Sequence, residues 1–164
     1  MLRLTKMADY GFVLLIRMAA GRLATPHNAR DLARQSNLPL PMVSKVLKSL
    51  VRNGLLVSHR GTKGGYMLAR EPQQITAAEI ITALDGPISV TECLDVGDSQ
   101  CNYELRCPVK QSWNQINLAI RDALAGVTLA EMASPDCCKT PWPFASNGEQ
   151  SDKAPWSEVE VAKQ

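Results

Sequence analysis

Cys93, Cys101 and Cys107, three of the chain's five cysteines, stand together in one short polar stretch. Thiolates are soft donors that select iron–sulfur clusters or zinc. The spacing, seven residues and then five, departs from the paired CxxC knuckles of common structural zinc sites, and no fourth cysteine or histidine stands close by. Three thiolates leave one coordination position to something weak or distant, which suits a cluster whose loss or oxidation is sensed. Without metal, the same residues would be inert thiols or a thiol switch. Glu104 and Asp98 lie inside the stretch as local carboxylates, which in a surface loop are ordinarily solvated. Cys137 and Cys138 are adjacent near the C-terminus and are read as outside the ligand set. His27 and His59, the only histidines, stand in a turn and beside a hairpin, away from the cysteines.

A second constellation is basic. Ser44, Lys48 and Arg52 recur four apart, with Lys45 beside them, opposite the apolar residues Val43, Val46, Leu47 and Leu50. A helix in the DNA major groove presents mainly its N-terminal residues to base edges. Pro41, Met42, Ser44 and Lys45 are therefore the expected readers, Lys48 and Arg52 the expected phosphate contacts, and His59, Arg60 and Lys63 the contribution of a wing. Each cation alone reads as a solvated face; their order along the chain is what points to nucleic acid. The net charge of +2 conceals this asymmetry, because residues 1–72 carry 12 Lys+Arg against 3 Asp+Glu while the remainder carries 6 against 13. A basic half of this kind forms an electrostatic footprint for a phosphate backbone.

The elements that would position these groups follow from caps and periodicity. Thr5 caps a helix to about Ala20 with Met7, Tyr10, Leu14 and Met18 facing inward and Gly21 ending it. Asn28 caps a short helix Ala29–Gln35 that Asn37 breaks, and a third helix runs from about Pro41 to Asn53-Gly54. Strands Leu55–Arg60 and Tyr66–Arg70 flank a glycine-rich turn, so the expected fold is mainly α with one β-hairpin, a winged helix-turn-helix. Thr76-Ala77-Ala78-Glu79 is a capping box opening a helix to Leu84, and Asp85-Gly86-Pro87 stops it. Pro108 opens a long amphipathic helix to Ala125 with Val109, Trp113, Ile116, Ile120 and Leu124 on one face, a natural dimer seam. Thr128-Leu129-Ala130-Glu131 is a second capping box for a final turn. The expected divisions are a DNA-binding domain over 1–87, a cysteine loop over 88–107, a dimerisation helix and final turn over 108–133, and a disordered tail over 134–164.

At 164 residues and 45% hydrophobic, the chain can bury one ordinary core. The N-terminal apolar run is interrupted by Arg17 and has no small-residue cleavage site, so it reads as neither signal peptide nor membrane span. A reducing, cytoplasmic setting is expected, in which an odd number of cysteines serves as ligands or redox-active thiols rather than a disulfide framework. A nucleotide loop, a flavin motif and a general acid–base pair are all missing, which weighs against an enzyme.

The segments LTKMADYGFVLLIRMAA, ARDLARQSNLPLPMVSKVLKSLVRNGLL, HRGTKGGYMLAR and ITAAEIITALDGPISVTEC closely resemble the bacterial family containing the isc-operon regulator and the nitric-oxide-sensing repressor. The resemblance covers about residues 1–133, and GPISVTEC with CPVKQSWNQINLAIRDALAGVTLAEMA is most similar to the regulator of the SUF iron–sulfur assembly system. The resemblance implies a homodimeric winged-helix transcription regulator, of repressor type, holding a [2Fe–2S] or [4Fe–4S] cluster through Cys93, Cys101 and Cys107. Where the isc-operon regulator has a histidine three residues beyond its third cysteine, this chain has Lys110, whose ammonium has no lone pair for iron. The nitric-oxide sensor uses a carboxylate from the first helix of the other subunit, and Asp9 stands at the matching place; its alternative role is a favourable charge at a helix N-terminus. The partners implied are a double-stranded DNA operator and a second copy, with no membrane and no small-molecule substrate. A nitric-oxide or redox-responsive repressor of the same family, or a zinc or thiol-switch DNA-binding protein, remain the alternatives.

Overall fold

The computed structural model describes residues 4–21, 25–61, 64–91 and 107–134. Among these residues the elements follow in the order α1 (Lys6–Ala20), α2 (Ala29–Ser36), α3 (Leu40–Arg52), β1 (Leu56–His59), β2 (Gly65–Leu68), a 3-10 turn (Pro72–Gln74), α4 (Ala77–Asp85), α5 (Lys110–Ala125) and α6 (Leu129–Ala133). Residues 135–164, with Cys137 and Cys138, lie outside the described residues, as do Lys63, Cys93 and Cys101.

Local chemistry sets the boundaries. Thr5 Oγ1 accepts the Ala8 amide and Asn28 Oδ1 accepts the Arg30 amide, each satisfying a first-turn N–H that the helix leaves over. The helices α2 and α3 end in the same way. Asn37 (φ 53°) and Gly54 (φ 73°) take left-handed conformations that allow Leu38 N to reach Ala33 O and Leu55 N to reach Leu50 O, both at 3.0 Å. Pro41 falls in the first turn of α3, where its missing N–H removes no helical bond.

The amphipathic faces of α1, α2 and α3 close on one core in which Leu14, Leu15, Val43, Val46, Leu47, Leu50, Ile75, Ile80 and Leu129 are 0 % exposed. Leu129 comes from α6, which packs against α1 and the 3-10 turn, so the last turn of the chain's described part completes the core of the N-terminal helices. Backbone pairing fixes this return: Leu129 N donates to Ile75 O at 2.8 Å and Ala77 N to Val127 O at 2.9 Å. Both capping boxes form, at Thr76/Glu79 and Thr128/Glu131.

The two strands pair antiparallel with Leu56 opposite Leu68 and His59 opposite Gly65. They are shorter than the sequence signals suggest, because Leu55 directs its amide to Leu50 O at the end of α3 and not across the hairpin. On its other side β2 pairs with residue 27: His27 N donates to Tyr66 O at 2.8 Å and Tyr66 N to His27 O at 2.9 Å. A Cβ at position 65 would lie 2.7 Å from His27 O, so this approach requires glycine.

The helix α5 carries the apolar stripe read from the sequence, much of it uncovered among the described residues. It begins at Lys110, two residues after Pro108, and its main contact is with α4. Trp113, Ile120 and Leu124 are half-buried, Val109 and Ile116 are 48 % and 43 % exposed, and the fully buried residue is Asn117. Among the described residues α4 is the main support of α5, and it covers only part of the stripe. No helix among the described residues is long and apolar enough to cross a membrane.

Candidate DNA-reading face and cysteine segment

With Val43, Val46, Leu47 and Leu50 anchored inside, α3 turns Pro41, Lys45, Lys48 and Arg52 outward as an exposed stripe at successive spacings of four, three and four. Met42 and Ser44 are half-buried along its margin. Lys48 and Arg52 lie toward the C-terminal end of α3 and Pro41 and Lys45 toward its N-terminal end. The wing adds His59 and Arg60, both exposed at the end of β1. Its turn is held by Gly64 N donating to Gly61 O at 2.9 Å. The pairing of His27 with Tyr66 fastens the wing to the connection between α1 and α2, so helix and hairpin form a single surface.

At the root of the wing, Arg70 Nη2 donates to Glu79 Oε1 at 2.8 Å and Arg70 Nη1 to Gln74 O at 3.1 Å. Glu79 also accepts the Thr76 amide at 2.9 Å as half of the capping box. Burial pushes the Glu79 carboxyl up, but the Thr76 amide and the Arg70 guanidinium outweigh it and hold the group below the ordinary glutamate range. The wing is thereby tied to the first turn of α4.

The cysteine segment is described at its two ends. Cys107 is a free, half-buried thiol immediately before α5, and its carbonyl accepts the Lys110 amide at 3.4 Å. Entry to the segment is fastened twice. Asp85, the last residue of α4, accepts the Thr5 amide at 2.9 Å and the Thr5 hydroxyl. Further on, Asn117 Oδ1 accepts the Val90 amide and Asn117 Nδ2 donates to Ile88 O, both at 3.2 Å. Asn117 is the functional-looking residue that sequence reading passes over, since it lies between Ile116 and Leu118 and has no local motif. Its 6 % exposure would be unfavourable for an unpaired carboxamide, and these two bonds satisfy it.

Asp9 is exposed in the first turn of α1, one turn beyond Thr5, and its amide donates to Thr5 O at 3.1 Å. Among the described residues, no three His, Cys, Asp or Glu side chains come together as a metal site. Lys110 opens α5. Cys107 is unpaired as a disulfide and partly accessible, three residues before the start of α5, and thiolates are the donors that iron–sulfur clusters use.

A family model described as Rrf2, iron-dependent transcriptional regulator, matches residues 4–135. The HTH-type transcriptional regulator CymR of Bacillus subtilis strain 168 is 32% identical over 133 residues, covering 81% of this chain and 91% of that protein. The HTH-type transcriptional regulator IscR of Erwinia tasmaniensis is 29% identical over 133 residues, covering 81% of this chain and 79% of that protein. Among solved structures, that of CymR, the global cysteine regulator of B. subtilis, superposes with a TM-score of 0.63 at 31% identity, covering 81% of this chain and 97% of the other. These relatives are named as transcription regulators and not as enzymes.

Proposed function

Because the chain belongs to the Rrf2 family of DNA-binding transcription regulators, we propose that it is a homodimeric repressor whose operator affinity is set by an iron–sulfur cluster. Cys93, Cys101 and Cys107 would hold the cluster, [2Fe–2S] or [4Fe–4S], with Asp9 of the partner subunit as the fourth ligand. The genes controlled are those of iron–sulfur assembly, of the SUF type. The observation that carries this reading is the three-cysteine set ending at Cys107, directly before α5, on a chain whose α3 displays Pro41, Lys45, Lys48 and Arg52.

The chain's own residues supply the rest of the mechanism. Lys48 and Arg52 hold phosphates and Lys45 with Pro41, Met42 and Ser44 meets base edges, while His59, Arg60 and Lys63 extend the contact through the wing. The exposed apolar residues Val109, Ile116 and Leu118 support pairing of α5 with a second copy. Two-fold pairing sets two recognition helices about 34 Å apart, one turn of DNA. When bound, the cluster would act as a ligand of the regulator, its occupancy shifting the population of DNA-competent dimers.

A second reading, a thiol-based regulator without a cluster, is favoured by the similarity to CymR, a cysteine regulator. Anaerobic purification followed by DNA titration separates the two. The proposed function predicts a coloured protein with iron and sulfide in each subunit, whose DNA affinity changes on cluster removal and falls as salt rises. A colourless protein, or one holding zinc, whose DNA affinity responds to thiol oxidation alone would support the second reading.

A further inference from the structure

Beside the root of the wing lies an open hollow of about 310 Å³, walled among the described residues by the end of α3, both ends of the hairpin, α4 and α5. This volume falls at the small end of ligand sites, roughly 300–1,000 Å³. Leu55 and Ile88, 2 % and 7 % exposed, join Ala83 as its apolar lining. Arg70 and Arg121 bring two guanidinium groups to the same walls and Glu79 one carboxylate, which leaves one positive charge in excess. The carboxylate is already engaged: Glu79 Oε1 accepts Arg70 Nη2, and Oε2 accepts the amide and the hydroxyl of Thr76. Arg121 has neither an ion pair nor a side-chain hydrogen bond among the described residues. Arg70 has engaged two of the five N–H donors of its guanidinium, on Glu79 and on Gln74 O. A lone exposed arginine is an ordinary solvated charge. Arg121 differs in standing over an apolar hollow beside a second guanidinium whose donors are only partly used.

The geometry points to a binding site for a small organic carboxylate with a short aliphatic body. Its anionic end would meet Arg121 and the remaining N–H groups of Arg70, the pairing that guanidinium and carboxylate favour. Its hydrocarbon end would cover Leu55, Ala83 and Ile88. Inorganic phosphate would satisfy the arginines but leave that lining facing water, so a carboxylate with an apolar body is the better complement. Because Arg70 ties the wing to α4, such a ligand would sit against the root of the DNA-reading hairpin and against α5 at once. Binding of this kind is independent of whether the cysteines hold a cluster.

The test titrates the full-length chain with isovalerate at constant ionic strength and follows the methyl resonances of Leu55, Ala78, Ala83 and Ile88, which all line the hollow. These should shift together and saturate with a dissociation constant on the order of 1 mM, as suits so small a ligand. Isovaleramide, which keeps the shape without the charge, and inorganic phosphate, which keeps charge without the hydrocarbon, should each bind about tenfold more weakly or worse. Arg121→Gln should weaken isovalerate about tenfold, the loss of a charge-assisted hydrogen bond. Arg34→Gln, which removes an exposed arginine from α2 outside the hollow, should leave the affinity unchanged. Ala78→Leu fills the hollow while keeping both arginines and should abolish the shifts at unchanged helix content; should that variant fail to fold, Arg121→Gln decides. No saturable shift in the parent, equal affinity for isovaleramide or phosphate, or parental affinity in Arg121→Gln would overturn the proposal.

Discussion

In α3, Val43, Val46, Leu47 and Leu50 are all 0 % exposed, whereas α5, three residues longer, fully buries only Asn117 and leaves Ile116 and Leu118 at 43 % and 48 %. Both helices are amphipathic in sequence, yet among the described residues only α3 is covered on its apolar face. The first is closed on three sides by α1, α2 and α4. The second rests on α4 and holds the entry of the cysteine segment through a polar contact. The contrast separates a helix packed into the core from one whose apolar residues stay exposed among the described residues, which is the basis for the proposed pairing of α5 with a second copy.

If this contrast is correct, truncation on the two helices must differ in kind. Leu47→Ala opens a cavity behind the recognition helix and should lower unfolding free energy by about 2–5 kcal/mol in urea titrations. Ile116→Ala should scarcely affect unfolding of a dilute monomer but should weaken self-association by about 1.5–3 kcal/mol per buried side chain, read by sedimentation equilibrium. Equal unfolding losses for both, with association unchanged, would erase the distinction.

Smaller effects refine the DNA-reading side. Lys48→Ala should weaken specific and nonspecific DNA alike and reduce the slope of log affinity against log salt by about 0.9 for each recognition helix engaged. Lys45→Ala should instead blur sequence preference. Identical behaviour of the two on every duplex would remove the division of labour along α3.

The smallest effect concerns the tie between wing and α4. A carboxyl held below its ordinary value stabilises the fold fully above the ordinary glutamate range, and that contribution fades as pH falls through the folded value. Glu79→Gln should therefore lower stability at neutral pH by roughly 0.5 kcal/mol or less, given the group's exposure. The gap between variant and parent should close in acid; a gap that widened there would contradict the assignment.

Much of the DNA-reading unit was readable in the chain because its signals are local. Thr5, Asn28, Thr76 and Thr128 each cap the helix that their neighbours' periodicity suggests, and Asn37 and Gly54 stop α2 and α3. The four-residue rhythm of α3 already separates Lys45 and Lys48 from Val46 and Leu47. What stayed hidden depends on distant partners. Pairing of His27 with Tyr66, of Thr76 with Thr128, and the return of Leu129 to the α1 core join residues with no shared local pattern. Asn117 is the clearest case, since a polar residue inside an amphipathic stretch reads as solvent-facing until the backbone it holds is in place. The apolar stripe of α5 is legible through the same local periodicity, which marks an apolar face but does not say what covers it.

The most direct test is the number of iron and sulfide atoms per subunit in anaerobically isolated chain, compared between the parent and Cys93→Ala, Cys101→Ala, Cys107→Ala and Cys137→Ala. The proposed regulator predicts a filled cluster in the parent and in Cys137→Ala, and loss of iron and sulfide in each of the other three. Parental iron and sulfide in any of those three, or a parent that contains neither, would contradict the assignment of the three cysteines as cluster ligands.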